Sequence, residues 1–251
     1  VRDAFDKAQA DARHAVALAA RLAEAHVALG NYFHYGSFDF TQAGAEYQQA
    51  RALAPGNAQV LSESGRFAVF SGDVDAGVAD ARRAAALDPL NPRSHSLLAQ
   101  ALYFARRYQE AVAAFTDVIS FDPDDRFAFG HRGLAYYGAG DLQSARDSCE
   151  RKPDHWATQW CLAVTYDKLG QHSAANAAVT KMKTAYGDAA AYQFATIYAQ
   201  WGNTSESLEW LDRAMRLRDP GLVHIKSDPL LDPVRKEARF QALERALKFP
   251  H

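Results

Sequence analysis

One regularity of spacing governs what this chain can fold into. Pro55, Pro89 and Pro123 are evenly spaced, and pairs of small residues recur at a second constant interval: Gly65 and Gly77, Ala99 and Ala111, Gly133 and Ala145, Ala163 and Ala175, Ala195 and Ser207. A fixed period of this kind marks a stacked repeat, in which each copy buries its apolar face only against its neighbours. Inside each copy the apolar residues step by three and four, as at Leu98 and Leu102 or Leu162 and Tyr166. That is helical periodicity, not the alternation of a strand. Each copy therefore reads as two helices crossing at the small residues, where short side chains let backbones approach. Gly72, Gly140, Gly170 and Gly202 fall between the two helices, where a tight or left-handed backbone suits glycine, and Asp-Pro at 88–89 and 122–123 halts the second helix. An earlier unit, Gly30 to Ala43, is longer than the rest by a single position, inside HYGSFDFTQA.

Composition supports a packed core and excludes several function classes. Hydrophobic residues make up 48% of the 251, and Lys+Arg 28 against Asp+Glu 30 leaves a net charge of -2, so no basic field points to nucleic acid or an anionic membrane. No apolar run approaches the roughly 18 residues of a membrane span, and VRDAFDKAQADARHAV is too charged for a signal-peptide core. Two cysteines make no disulfide framework, which favours a reducing, cytoplasmic setting. The sequence opens at Val1 and has only Met182 and Met215, so an excised piece of a longer protein is expected.

The segments LLAQALYF, EAVAAF and DP of the third full unit, and RGLAYYGAGDLQSA of the fourth, resemble the tetratricopeptide repeat, whose pattern of about 34 residues is W-x2-L-G-x2-Y, then A-x3-F, then P. The resemblance implies an all-α fold, an α-solenoid in which antiparallel helix pairs form a right-handed superhelix with the first helices lining its concave side. Residues 1–220 are expected to hold a partial first unit and about six helix pairs, the fourth shortened, and residues 221–251 a C-terminal capping segment. FDFTQAGAEYQQARALAPGNA and LRDPGLVHIKSDPLLDPVRKEARFQALERAL also resemble the C-terminal repeat regions of bacterial class III adenylate cyclases and winged-helix regulators. No cyclase core or winged helix is readable in the sequence, so any such activity would belong to another part of a parent chain. In the closing helix Phe240, Leu243 and Leu247 share one side, as a cap over the last repeat requires.

The first helices present an outward stripe that carries the expected binding surface. It places Arg66, Arg93, Tyr103, Phe104, Phe127, Tyr137, Trp160 and Tyr192 in an aromatic-rich concave groove for a protein or peptide segment, or for a linked domain of the parent chain. Rings exposed together give large contact area at little rotamer entropy, whereas the plainer reading buries each ring between repeats. The lysine and asparagine clamp that related domains use on chaperone tails is absent, its places holding Ser62 and Arg66, Ser96 and Gln100, Gly130 and Leu134. Arg66 and Arg93 are solvated surface charges or a pair that holds one carboxylate.

Catalytic and metal signals are thin. Nine histidines form no H-E-x-x-H, and no phosphate loop or G-x-S-x-G occurs, so neither enzyme activity nor a cofactor or metal is expected. Asp122, Asp124 and Asp125 lack the rest of a calcium loop and read as caps of the next helix. Arg82-Arg83 and Arg106-Arg107 read as basic pairs on solvated faces. CERKPDHWATQWC holds both cysteines, and here the interval from second small residue to stop, Ala145 to Pro153, falls short of its counterparts by about one helical turn. Cys149 and Cys161 read as two core thiols, a disulfide requiring Cα atoms within about 7 Å; a thiol or metal site with His155 is the third reading. The shortened helix is expected to act as a hinge that exposes Trp156 or Trp160.

Overall fold

A computed structural model describes residues 2–249, with side chains from residue 7 onward. Among these residues there are fourteen α-helices and no strand. After α1 (Arg2–Leu18) they run in pairs: α2 (Ala23–Asn31) with α3 (Phe40–Leu53), α4 (Ala58–Ser71) with α5 (Val74–Leu87), α6 (Pro92–Phe104) with α7 (Tyr108–Phe121), α8 (Arg126–Gly138) with α9 (Leu142–Glu150), α10 (Trp156–Lys168) with α11 (His172–Tyr186), and α12 (Ala191–Gln200) with α13 (Thr204–Leu217). A last helix, α14 (Ala238–Ala246), follows an irregular tail. First helices pack on first helices in the row α2, α4, α6, α8, α10, α12, which makes one continuous inner wall of an α-solenoid.

Local chemistry starts and stops these helices. Asn57, Asn91 and Asp125 precede α4, α6 and α8, and their side chains accept from the free N–H groups of Gln59, Arg93 and Ala128 at 2.9 to 3.0 Å. Of the three acids, Asp125 is the cap, Asp122 accepts from the Asp124 N–H, and Asp124 pairs with Lys152. The helices cross at the small residues: a Cβ on Gly65 would stand 2.8 Å from the Gly77 carbonyl oxygen. Between helices the four glycines have φ of 75 to 103°. The equivalent place between α6 and α7 holds Arg106, left-handed at φ 60°, a conformation that costs a side chain about 1 kcal/mol or more.

Two irregular spacings have structural causes. The extra residue between Gly30 and Ala43 is taken up by a π-helical turn, Tyr32–Ser37, since a π turn holds one more residue than an α turn. In the fourth pair α9 has 9 residues against the 14 of α5 and α7. The expected hinge there is replaced by a tight joint. Any Cβ on Gly130 would lie 2.6 Å from the Ala157 carbonyl carbon, so α8 and α10 approach backbone to backbone. Cys149 and Cys161, both fully buried, form a disulfide across this joint, their Cα atoms 6.3 Å apart. The reading as two core thiols is thereby corrected: the shortened helix turns Cys149 onto α10, and Gly133 leaves the room both sulfurs occupy. With both cysteines paired, their small number no longer argues for a reducing compartment.

The tail after α13 enters the concave bore. It makes two 3-10 turns, Pro220–His224 and Pro229–Val234, each opened by an aspartate, Asp219 or Asp228, whose carboxylate caps the turn through the N–H of Gly221 or Leu230. Leu222, Val223, Ile225, Leu230, Leu231 and Val234 are buried against the inner wall. Phe240 and Leu247 of the closing helix are buried and Leu243 is half-buried, so α14 covers the end of the stack. The ends also meet the start of the solenoid, where Arg218 donates to the Ser37 carbonyl at 3.4 Å and the Phe249 ring stacks on Phe40 at 4.2 Å.

Candidate functional site: the concave bore and its rim

Each first helix contributes one side to the bore, and the tail fills its centre. His224 stands between Phe70 of α4 and Phe104 of α6, with ring centroids at 4.4 and 4.8 Å, and burial lowers its pKa to about 3, so it is a neutral packing ring. Tyr192 of α12 grips the tail twice: its backbone N–H donates to Asp219 at 3.0 Å and its hydroxyl to Asp228 at 2.8 Å. Gln200 donates to the Leu230 carbonyl at 2.7 Å, and Arg106 holds Asp232 through two nitrogens at 2.5 and 2.7 Å. The Asp228 carboxyl, buried, is pushed up to about 6.

This filling decides the fate of the expected stripe. Tyr103, Phe104, Trp160 and Tyr192, expected in an open groove, are each 5% exposed or less. The correction has a physical reason: an apolar bore this wide is completed by the chain's own apolar tail. Trp160 donates to the Thr196 hydroxyl at 2.8 Å, so it is not exposed at the joint; Trp156 is half-buried. Tyr137 is half-buried and donates to Gln200 at 2.8 Å, and Phe127 is half-buried, stacked on the buried His131 at 3.7 Å. The rim thus keeps Phe127 and Trp156 partly open, 6.0 Å apart.

Arg66 and Arg93 converge on one carboxylate, but it is the chain's own. Glu63, 1% exposed, pairs with Arg66 within α4 and accepts from Arg93 of α6 at 2.5 Å. Arg66 also lies 5.1 Å over the Tyr35 ring, and its side chain is only 15% exposed, so it is not a solvated charge. Arg93 remains 65% exposed on the rim. Nor are the basic pairs merely solvated: Arg82 pairs with Glu110, Arg107 with Asp75 and Arg106 with Asp232. Arg106 is more than one half of a basic pair, and its spacing carries the signal. It replaces the turn glycine midway between Gly72 and Gly140, one repeat period from each.

Among the described residues no group of three or more His, Cys, Asp or Glu is placed to hold a metal ion, and no helix is long and apolar enough to cross a membrane.

Residues 62–126 and 97–155 match the family model described as tetratricopeptide repeat. A curated protein of Mycosarcoma maydis, small glutamine-rich tetratricopeptide repeat-containing protein 2, is 35% identical over 99 residues, 39% of this chain; the match spans 27% of that protein's length. Among solved structures, Pseudomonas aeruginosa pilF is similar over 74% of this chain and 86% of its own, with a TM-score of 0.57 and 18% identity. MamA from residue 41 to its end, from Desulfovibrio magneticus RS-1, is similar over 64% of this chain and 93% of its own, with a TM-score of 0.52 and 18% identity. At such identities the two structures speak to the fold alone.

Proposed function

Starting from a chain whose residues 62–155 are tetratricopeptide repeats, we propose a non-catalytic scaffold that binds a protein segment at the open rim of its concave face, around Arg93, Phe127 and Trp156. The observation that carries this reading is how the rest of that face is filled. The first helices hold an irregular polypeptide, the Gln200 side chain through a backbone carbonyl and Tyr192 through two capping aspartates, one bonded to its backbone N–H and one to its hydroxyl, as a peptide-binding groove would. The tail seals Tyr103, Phe104 and Tyr192, and Trp160 is closed off by Thr196 of α12 and His131 of α8, so these four shape the bore. A partner meets the rings and cation left at the rim, where large contact area comes at small rotamer cost.

A photo-crosslinking residue at Phe127 tests this, with one at the exposed Arg83 of α5 as control. The Phe127 probe should give adducts that the control lacks and that Arg93→Glu removes at unchanged helical content. Identical adduct patterns from both positions would sink the rim.

The occupied bore also favours a second reading, a sensory or regulatory module of a larger bacterial signalling enzyme, adenylate cyclase-like, or of a transcription regulator. In that case a linked domain docks on the rim. A cyclase or DNA-binding domain in the same reading frame would select it; a frame without either would leave the scaffold.

A further inference from the structure

Away from the rim lies a cavity of about 340 Å³, within the ~300–1,000 Å³ of small-molecule sites. It sits where the turn ends of four successive pairs meet the tail, with Tyr103 and Arg106 from the third, Tyr137 from the fourth, Lys168 from the fifth and Gln200 from the sixth. Two independent observations give it a ligand chemistry.

The first is an orphaned donor. Tyr103 is 1% exposed and its hydroxyl has no hydrogen-bond partner. Burial pushes its pKa well above the ordinary phenol value, so it stays an O–H group in want of an acceptor. Its charged and phenolic neighbours are Asp228, Tyr108, Tyr137 and Arg106, and the last three line the same cavity. None of the observed bonds serves it: Asp228 accepts from Tyr192, Tyr137 donates to Gln200, and Arg106 is held by Asp232.

The second is a charge. Arg106 is neutralised by Asp232, whereas Lys168, exposed at the cavity, forms no ion pair among the described residues. The walls between these polar groups are apolar, including Leu134, Leu142 and Leu230.

We propose that this cavity binds a small carboxylate with an apolar body, the carboxylate accepting from the Tyr103 hydroxyl in the field of Lys168 and the body lying against the leucines. The site stands apart from the rim, so a failed crosslink at Phe127 leaves it untouched.

The test is a titration of the whole chain with trans-cinnamate and with its neutral isostere cinnamamide, followed through the backbone amide resonances of Gly138 and Gly140, which border the cavity. Cinnamate should give saturable shifts and bind about tenfold tighter than the amide, the difference expected of a charge-assisted hydrogen bond. Tyr103→Phe should weaken cinnamate about threefold or more without lowering the unfolding midpoint, because the lost hydroxyl bonds nothing in the free protein. Lys168→Gln should narrow the preference for acid over amide, and the Tyr103 hydroxyl bond should keep the remainder. The proposal is overturned by shifts that do not saturate, by equal affinity for acid and amide, or by unchanged binding in Tyr103→Phe.

Discussion

Glu63 shows how much rests on single buried charges. It is nearly inaccessible and serves two arginines, one enclosed and one on the rim. Replacing it by glutamine strands the Arg66 charge, so Glu63→Gln should cost about 3 kcal/mol in urea unfolding, while Arg93→Ala, whose side chain is mostly in water, should cost under about 1 kcal/mol. Asp228 titrates in the opposite sense to a paired surface acid. Burial raises its folded pKa from 3.8 to about 6, so the fold favours the protonated form. Its contribution is complete below about pH 4 and is lost as pH rises through 6, a change of about 3 kcal/mol. The stability difference between wild type and Asp228→Asn, followed by urea unfolding from pH 4 to 7, should show that slope. A flat difference would mean the carboxyl is hydrated. Neither residue was legible in the sequence, since Glu63 lies on a helix like any surface acid and Asp228 looks like a turn residue.

At the scale of elements, the helix pairs were legible because the demands that define them are local. A crossing needs small residues, a turn needs a left-handed residue and a stop needs proline, and each recurs at a fixed interval. The tail was not legible, because its partners lie far back along the chain, as Phe70 does from His224, and its Asp-Pro pairs announce turns without saying what the turns pack against. The short fourth pair was half legible: the missing turn could be counted, but the disulfide depends on how α9 and α10 approach. A bridge between cysteines so close in sequence should contribute about 3 kcal/mol. Dithiothreitol should therefore shift the wild-type urea midpoint downward and leave Cys149→Ala/Cys161→Ala unmoved. Leu231, fully buried in the second 3-10 turn, tests the tail itself. Leu231→Ala should destabilise by about 2 to 5 kcal/mol, as for a core leucine, and a loss below about 1 kcal/mol would make the tail a loose strap.

Whole-molecule behaviour should depart from that of an open repeat array. In such an array each unit touches only its neighbours, and ends fray separately. Here the tail joins α4 and α6 to α12 through His224 and Tyr192, and Phe249 stacks on Phe40 near the other end. Unfolding followed by helical circular dichroism and by the tryptophans, all four between residues 156 and 210, should therefore coincide in one transition. Removal of residues 219–251 should separate the two curves. The placement of the tail also bears on synthesis. The bore walls leave the ribosome in order from residue 58, but Val234, the last apolar residue of the two tail turns, follows only after about 9 to 35 s at roughly 5 to 20 residues per second. For that interval the nascent solenoid carries an unlined interior of tyrosine and phenylalanine, a client surface for any chaperone waiting at the tunnel exit.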